Sequence, residues 1–158
     1  KWETGKGLPD VGIIGELASS LGVSLAELLT GEYTENKNRS ANMKKMAFYV
    51  CPVCGNVIQA AGNGSYSCCG ILLPELETEE PDEEHTMQVE VVDGEYFVSI
   101  PHEMSKSHYI SFLCYATSSC VQTVKLYPEQ GAEARFTRRG HGVLYAYCNR
   151  HGLYKKLI

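Results

Sequence analysis

A sulfur and an imidazole stand three residues apart, at Cys148 and His151, where the apolar run Val143-Leu144-Tyr145-Ala146-Tyr147 gives way to Asn149-Arg150-His151-Gly152-Leu153-Tyr154. The run reads as a strand, and the spacing lets both side chains reach one metal ion as the chain turns. Two more histidines lie in Pro101-His102-Glu103-Met104-Ser105-Lys106-Ser107-His108-Tyr109-Ile110, and another in Glu83-Glu84-His85. One thiolate with four imidazoles is a mixed soft and borderline ligand set, better suited to iron than to magnesium or calcium. A second group of sulfurs occupies Cys51-Pro52-Val53-Cys54 and the adjacent pair Cys68-Cys69. Gly55 lets the backbone curl so that its amides point at the thiolates, and 60–65 read as a turn that returns a strand through Tyr66 and Ser67. Four thiolates at a tetrahedral site hold zinc or a single iron, and sequence chemistry does not choose between them. Seven cysteines, an odd number, fit a disulfide framework poorly. A shared metal in a reducing compartment is the simpler account of a Cys-Cys pair.

These motifs resemble those of the desulfoferrodoxins, two-iron superoxide reductases. Their C-terminal domain carries Glu-Lys-His, Pro-His-x-Met-x-x-x-His-Tyr/Trp-Ile and Cys-Asn-x-His-Gly-x-Trp, and their small N-terminal domain carries Cys-x-x-Cys and a later Cys-Cys pair. The likeness runs from about Tyr49 to Tyr154. It implies a desulforedoxin-like module over 46–74, with iron held by Cys51, Cys54, Cys68 and Cys69 and zinc as the alternative. It implies an immunoglobulin-like sandwich over 85–158, whose ferrous iron takes His85, His102, His108 and His151 in a plane and Cys148 on the axis, with a sixth position open. An axial thiolate favours handing an electron to a bound oxygen species. Superoxide would take one electron and two protons and leave as hydrogen peroxide, with an electron donor such as rubredoxin restoring the iron. A homodimer is a further implication, because so small a module needs extra buried surface. The Asn149 and Gly152 amides are expected to face the Cys148 sulfur.

The departure from the family pattern is Glu84, which stands where the family has the lysine that draws superoxide to the iron. Glu83 keeps the family's carboxylate, and Lys106 is the nearby cation that can substitute. His141 reads as a surface residue, Cys114 as a small hydrophobe in a strand, and Cys120 as a free thiol near a turn.

Elsewhere the chain reads as mainly β. Val89, Val91, Tyr96 and Val98 flank Asp93-Gly94, a dipeptide preferred in two-residue hairpin turns. Further strands are expected over 109–116, 121–127, 134–137 and 143–148. Stretch 75–84 reads as an acidic linker; from Glu75 to Glu95 there are ten acidic residues and no Lys or Arg. A net charge of −5 argues against nonspecific affinity for nucleic acid by the chain as a whole, and no apolar run approaches the roughly 20 residues of a membrane helix. A cytoplasmic protein is expected. Residues 1–33 resemble the C-terminal part of a phage-repressor-type helix-turn-helix domain. Lys1-Trp2-Glu3 would close the recognition helix, a helix would run from N-cap Asp10 to Gly22, and a second would run from the capping box Ser24-Leu25-Ala26-Glu27 to Gly31. On this reading the chain is a fragment whose DNA-reading helix precedes residue 1, and 34–45 is a flexible linker. The alternatives to an enzyme are a redox- or iron-sensing regulator with slow catalysis, and a structural zinc protein.

Overall fold

The computed structural model describes residues 7, 10–21, 23–31, 43–62 and 64–158. The expected end of a recognition helix at Lys1-Trp2-Glu3, the stop at Gly22 and most of the 34–45 linker lie outside these. The chain divides into two units, Lys1–Arg39 and Ser40–Ile158.

The first unit carries helices α1 (Val11–Leu21) and α2 (Leu25–Thr30). Asp10 opens α1, its carboxylate accepting from the Gly12 amide at 2.8 Å and its carbonyl from Ile13 at 3.0 Å. Ser24 and Glu27 form a reciprocal capping box on α2, and Gly31 ends it in the left-handed region at φ 72°. Both follow from the residue types, since Ser offers an oxygen to orphan amides and Gly has no Cβ to clash at positive φ.

The second unit is built from strands. Hairpin β1 (Ala47–Val50) and β2 (Val57–Ala60) is followed by hairpin β3 (Tyr66–Cys68) and β4 (Ile71–Leu73). Then come β5 (Thr78–Glu79), β6 (Gln88–Val92), β7 (Glu95–Ser99), β8 (Ile110–Ala116), β9 (Val121–Lys125), β10 (Glu133–Thr137), β11 (Val143–Cys148) and β12 (Gly152–Leu157). A five-stranded sheet in the order β5-β12-β11-β8-β9 faces a three-stranded sheet in the order β10-β7-β6. The β6–β7 turn places Asp93 at φ 52° and Gly94 at φ 83°, the pair of positive values that a two-residue turn of matching twist requires.

Strand β8 is buried along its whole length, and its two faces serve two cores. Leu113 and Tyr115 face the sandwich interior with Leu144, Ala146, Phe136 and Tyr154. Phe112, Cys114 and Ala116 face the other way, where Phe48 of β1 packs on them together with Val143 and Tyr145. Phe48 stacks on Phe112 at 5.4 Å between ring centres and tilts against Tyr145 at 4.9 Å. The small cysteine module therefore sits on the outer face of the five-stranded sheet and shares a core with it. Stretch 75–84, read as a linker, is partly structured here: Leu76 donates to the Phe48 carbonyl at 2.8 Å, and β5 pairs in parallel with β12. Where β8 meets the end of β11 the register slips, so that Tyr147 opposes Phe112 while Cys148 opposes Ile110. The extra residue, Ser111, lies on β8, so the bulge brings Ile110 to the sandwich interior beside Cys148, which already faces inward in alternation with Leu144 and Ala146.

Candidate metal centres

The first cluster sits at the tips of the two hairpins. The sulfurs of Cys51, Cys54, Cys68 and Cys69 all lie within 4.8 Å of one another. After β1 the chain curls back, with the Gly55 amide on the Cys51 carbonyl at 2.9 Å and Gly55 itself at φ 68°. Asn56 Nδ2 approaches the Cys68 sulfur at 3.7 Å. The backbone amides of Cys54 and Val53 hold the Cys51 thiol down at about 7 although burial opposes them. The sulfurs of Cys54, Cys51 and Cys68 push the Cys69 thiol up to about 12. Four thiols this close resist losing more than one proton, because each new thiolate repels the last. A cation among them removes that repulsion, so the set suits a thiophilic metal.

The second cluster gathers residues from three segments. The ring nitrogens of His85, His102, His108 and His151 and the sulfur of Cys148 lie within 4.8 Å of one another. Cys148 ends β11, and its sulfur stands 3.6 Å from His102 Nε2 and 3.7 Å from His151 Nδ1. His151 Nδ1 is 3.1 Å from His85 Nε2. The turn after Cys148 is stitched to the loop that carries His102 and His108. Asn149 Oδ1 accepts from the Tyr109 amide at 2.8 Å, Asn149 Nδ2 donates to the Ser107 carbonyl at 3.1 Å, and Arg150 Nε donates to the same carbonyl at 3.1 Å. The Asn149 amide, expected to face the Cys148 sulfur, donates instead to the Tyr109 carbonyl at 3.1 Å. Tyr154 of β12 stacks on His85 at 4.2 Å between ring centres, with 17° between the planes.

Three of the four imidazoles are held from behind. His85 Nδ1 lies 2.6 Å from Asp82 Oδ1, His108 Nδ1 lies 3.3 Å from Glu103 Oε2, and His102 Nδ1 meets the Glu103 carbonyl. A carboxylate or a carbonyl can only accept, so each Nδ1 carries a proton, and in the neutral ring each Nε2 turns a lone pair to the centre. His108 Nε2 is buried and meets no hydrogen-bond partner among the described residues. Burial holds His102 below the ordinary imidazole range, with the rings of His108, His85 and His151 acting in the same direction. Neutral imidazoles with inward lone pairs, beside a buried thiol, are what a metal ligand set requires. Asp82 and Glu103 were not singled out from the sequence, although an Asp three residues before a His is a recognisable capping arrangement.

Of the other singled-out residues, Glu83 and Glu84 are exposed just before His85, and His141 is exposed. Lys106 is exposed on the His102–His108 loop, its Nζ 3.7 Å from Glu129 Oε1. Cys114 is buried in β8, where burial raises its thiol to about 11, and Cys120 is half-buried after the β8 strand.

A β-sandwich collects four imidazoles and a thiol at one end, with four more thiols on hairpins packed against its outer face, and each group could hold a metal ion. Residues 73–157 match the family model described as Desulfoferrodoxin. The chain is 34% identical over 119 residues, 70% of this chain and 95% of the relative, to a desulfoferrodoxin homolog of Archaeoglobus fulgidus. It is 29% identical over 120 residues, again 70% and 95%, to a desulfoferrodoxin of Syntrophotalea carbinolica. Among solved structures, the superoxide reductase from Treponema pallidum shares the fold, with a TM-score of 0.63 at 22% identity over 71% of this chain and 97% of that one. The chain belongs to the desulfoferrodoxin family.

Proposed function

We propose that the chain is a superoxide reductase, with its reaction at iron held by His85, His102, His108, His151 and Cys148. A second iron is held by Cys51, Cys54, Cys68 and Cys69 and serves at most as an electron relay. The observation that carries this reading is the inward aim of three Nε2 lone pairs, one of them on the buried and unpartnered His108 Nε2. Iron in that set supplies the single electron that, with two protons, converts superoxide to hydrogen peroxide. The chain's own residues orient the ligands and govern the anion's approach. Asn149 locks the Cys148 turn against the His108 loop, and Tyr154 covers one face of His85. Lys106 supplies the cation on the loop between His102 and His108, while Glu83 and Glu84 set an opposing negative charge beside His85.

The wider reading is a homodimer that takes electrons from a donor such as rubredoxin, with α1 and α2 as the closing helices of a DNA-binding domain. Glu84 in place of a cation favours a second reading, a superoxide-responsive regulator in which turnover is slow. The test is Cys51→Ser on anaerobically prepared, iron-loaded protein. We expect the thiol cluster to lose its iron while superoxide reduction stays measurable. Complete loss of activity with the histidine-site iron retained, or zinc in both clusters of the native protein, overturns the reading.

A further inference from the structure

We infer that Asp82 and Glu103 are positioning residues that bias the histidine centre toward its oxidised state by hydrogen-bonding the outer nitrogens of His85 and His108. The inference rests on the proposed metal site and concerns what tunes it.

Asp82 Oδ1 accepts twice from one residue, from the His85 amide at 2.8 Å and from His85 Nδ1 at 2.6 Å. Backbone and ring are thus fixed by the same oxygen across a three-residue span. His85 is 1% exposed whereas the Asp82 side chain is 58% exposed, so the carboxylate stands between a buried ring and solvent. Glu103 acts on two rings from one position. Its carbonyl meets His102 Nδ1, and its carboxylate meets His108 Nδ1 at 3.3 Å. Only His151 lacks such a partner in the contacts around the cluster, because its Nδ1 is the nitrogen turned inward.

A carboxylate behind an imidazole does two separable things. It fixes the tautomer, which a neutral acceptor can also do. It adds negative charge along the N–H bond, which makes the opposite nitrogen a stronger donor. A stronger, more anionic ligand set favours the more highly charged metal ion, so two carboxylates stabilise ferric over ferrous iron and lower the midpoint potential. Such partners are worth about 10- to 100-fold in metal affinity. A tenfold change in the ferric-to-ferrous preference corresponds to about 59 mV for one electron.

The experiment compares wild type with Asp82→Asn, Asp82→Ala and Glu103→Gln as whole chains. Apoprotein is titrated with cobalt(II) and followed by optical spectra, and iron-loaded protein is titrated to its midpoint potential by electron paramagnetic resonance. Asparagine and glutamine keep an acceptor oxygen in place, so both variants should bind cobalt close to normally. Their midpoints should rise by about 59 mV for each tenfold of lost ferric preference. Asp82→Ala loses the acceptor as well and should bind cobalt at the histidine cluster about 10- to 100-fold more weakly. Midpoints unchanged in both amide variants overturn the inference while the proposed site stands. A wild type that takes up no metal at the histidine cluster overturns the proposed function and this inference together.

Discussion

Glu84 precedes the buried His85 and lies among exposed acids, and their field reaches the site. The Tyr154 hydroxyl is raised first by burial and then by Asp82, Glu79, Cys148 and Glu84, and Tyr154 is the ring stacked on His85. A superoxide anion approaching from that side would meet repulsion. Lys106 offsets little of it, since Glu129 lies 3.7 Å from its ammonium and both are exposed. Steering charges change encounter rates by roughly 10-fold or more, and salt at about 0.1 M screens them beyond about 10 Å. The native chain should therefore react with superoxide faster as salt is added. Glu84→Lys should speed the bimolecular step by roughly 10-fold at low salt and reverse the salt slope, with little change in the iron spectrum. Pulse radiolysis over a salt series measures both, and an unchanged slope in the variant would show that another cation controls the approach. At this scale the grouping of nine sulfur and imidazole positions into two clusters was legible because each sits in a short motif of fixed spacing. Asp82 and Glu103 were not, because a carboxylate behind an imidazole is defined by where the ring points, and acidic residues abound from Glu75 to Glu95.

The β6–β7 hairpin and strands β8 to β11 were legible, since each is an apolar or alternating run bounded by turn residues. Strand β12 escaped notice because Lys155 and Lys156 interrupt its apolar pattern; the Lys156 ammonium reaches the Met87 carbonyl at 2.6 Å, so the stem can lie along the sheet. Strand β5 spans two residues of an acidic stretch, too short for any period to show. The seating of the cysteine module was also hidden, because it depends on both faces of β8 being apolar. Phe48 is the residue that joins the two, at 1% exposure and in contact with Phe112 and Tyr145. Phe48→Ala should cost about 3–5 kcal/mol in urea unfolding of the metal-loaded chain. A chelator should also strip the thiol cluster faster in this variant than in wild type while the histidine cluster keeps its metal. Equal stripping rates would mean that the module holds its own fold without the sheet.

Over the whole molecule, residues as far apart as His85 and His151 meet at one end of the sandwich, and strand alternation on β11 turns the Cys148 sulfur inward while the β8 bulge brings Ile110 beside it. The order of the motifs implied that convergence through the family resemblance, whereas the bulge has no local sequence signal, since it arises from how two strands meet. No helix among the described residues is long and apolar enough to cross a membrane. As a superoxide reductase, the histidine centre would reduce superoxide without dismutating it. The most direct test is the product balance when iron-loaded, fully reduced protein meets a known pulse of superoxide without added donor. The expected balance is one hydrogen peroxide formed and one iron oxidised for each superoxide consumed, at the histidine site or, through the relay, at the cysteine site, with no dioxygen released. One peroxide for every two superoxides, with dioxygen evolved and the iron left reduced, would contradict it.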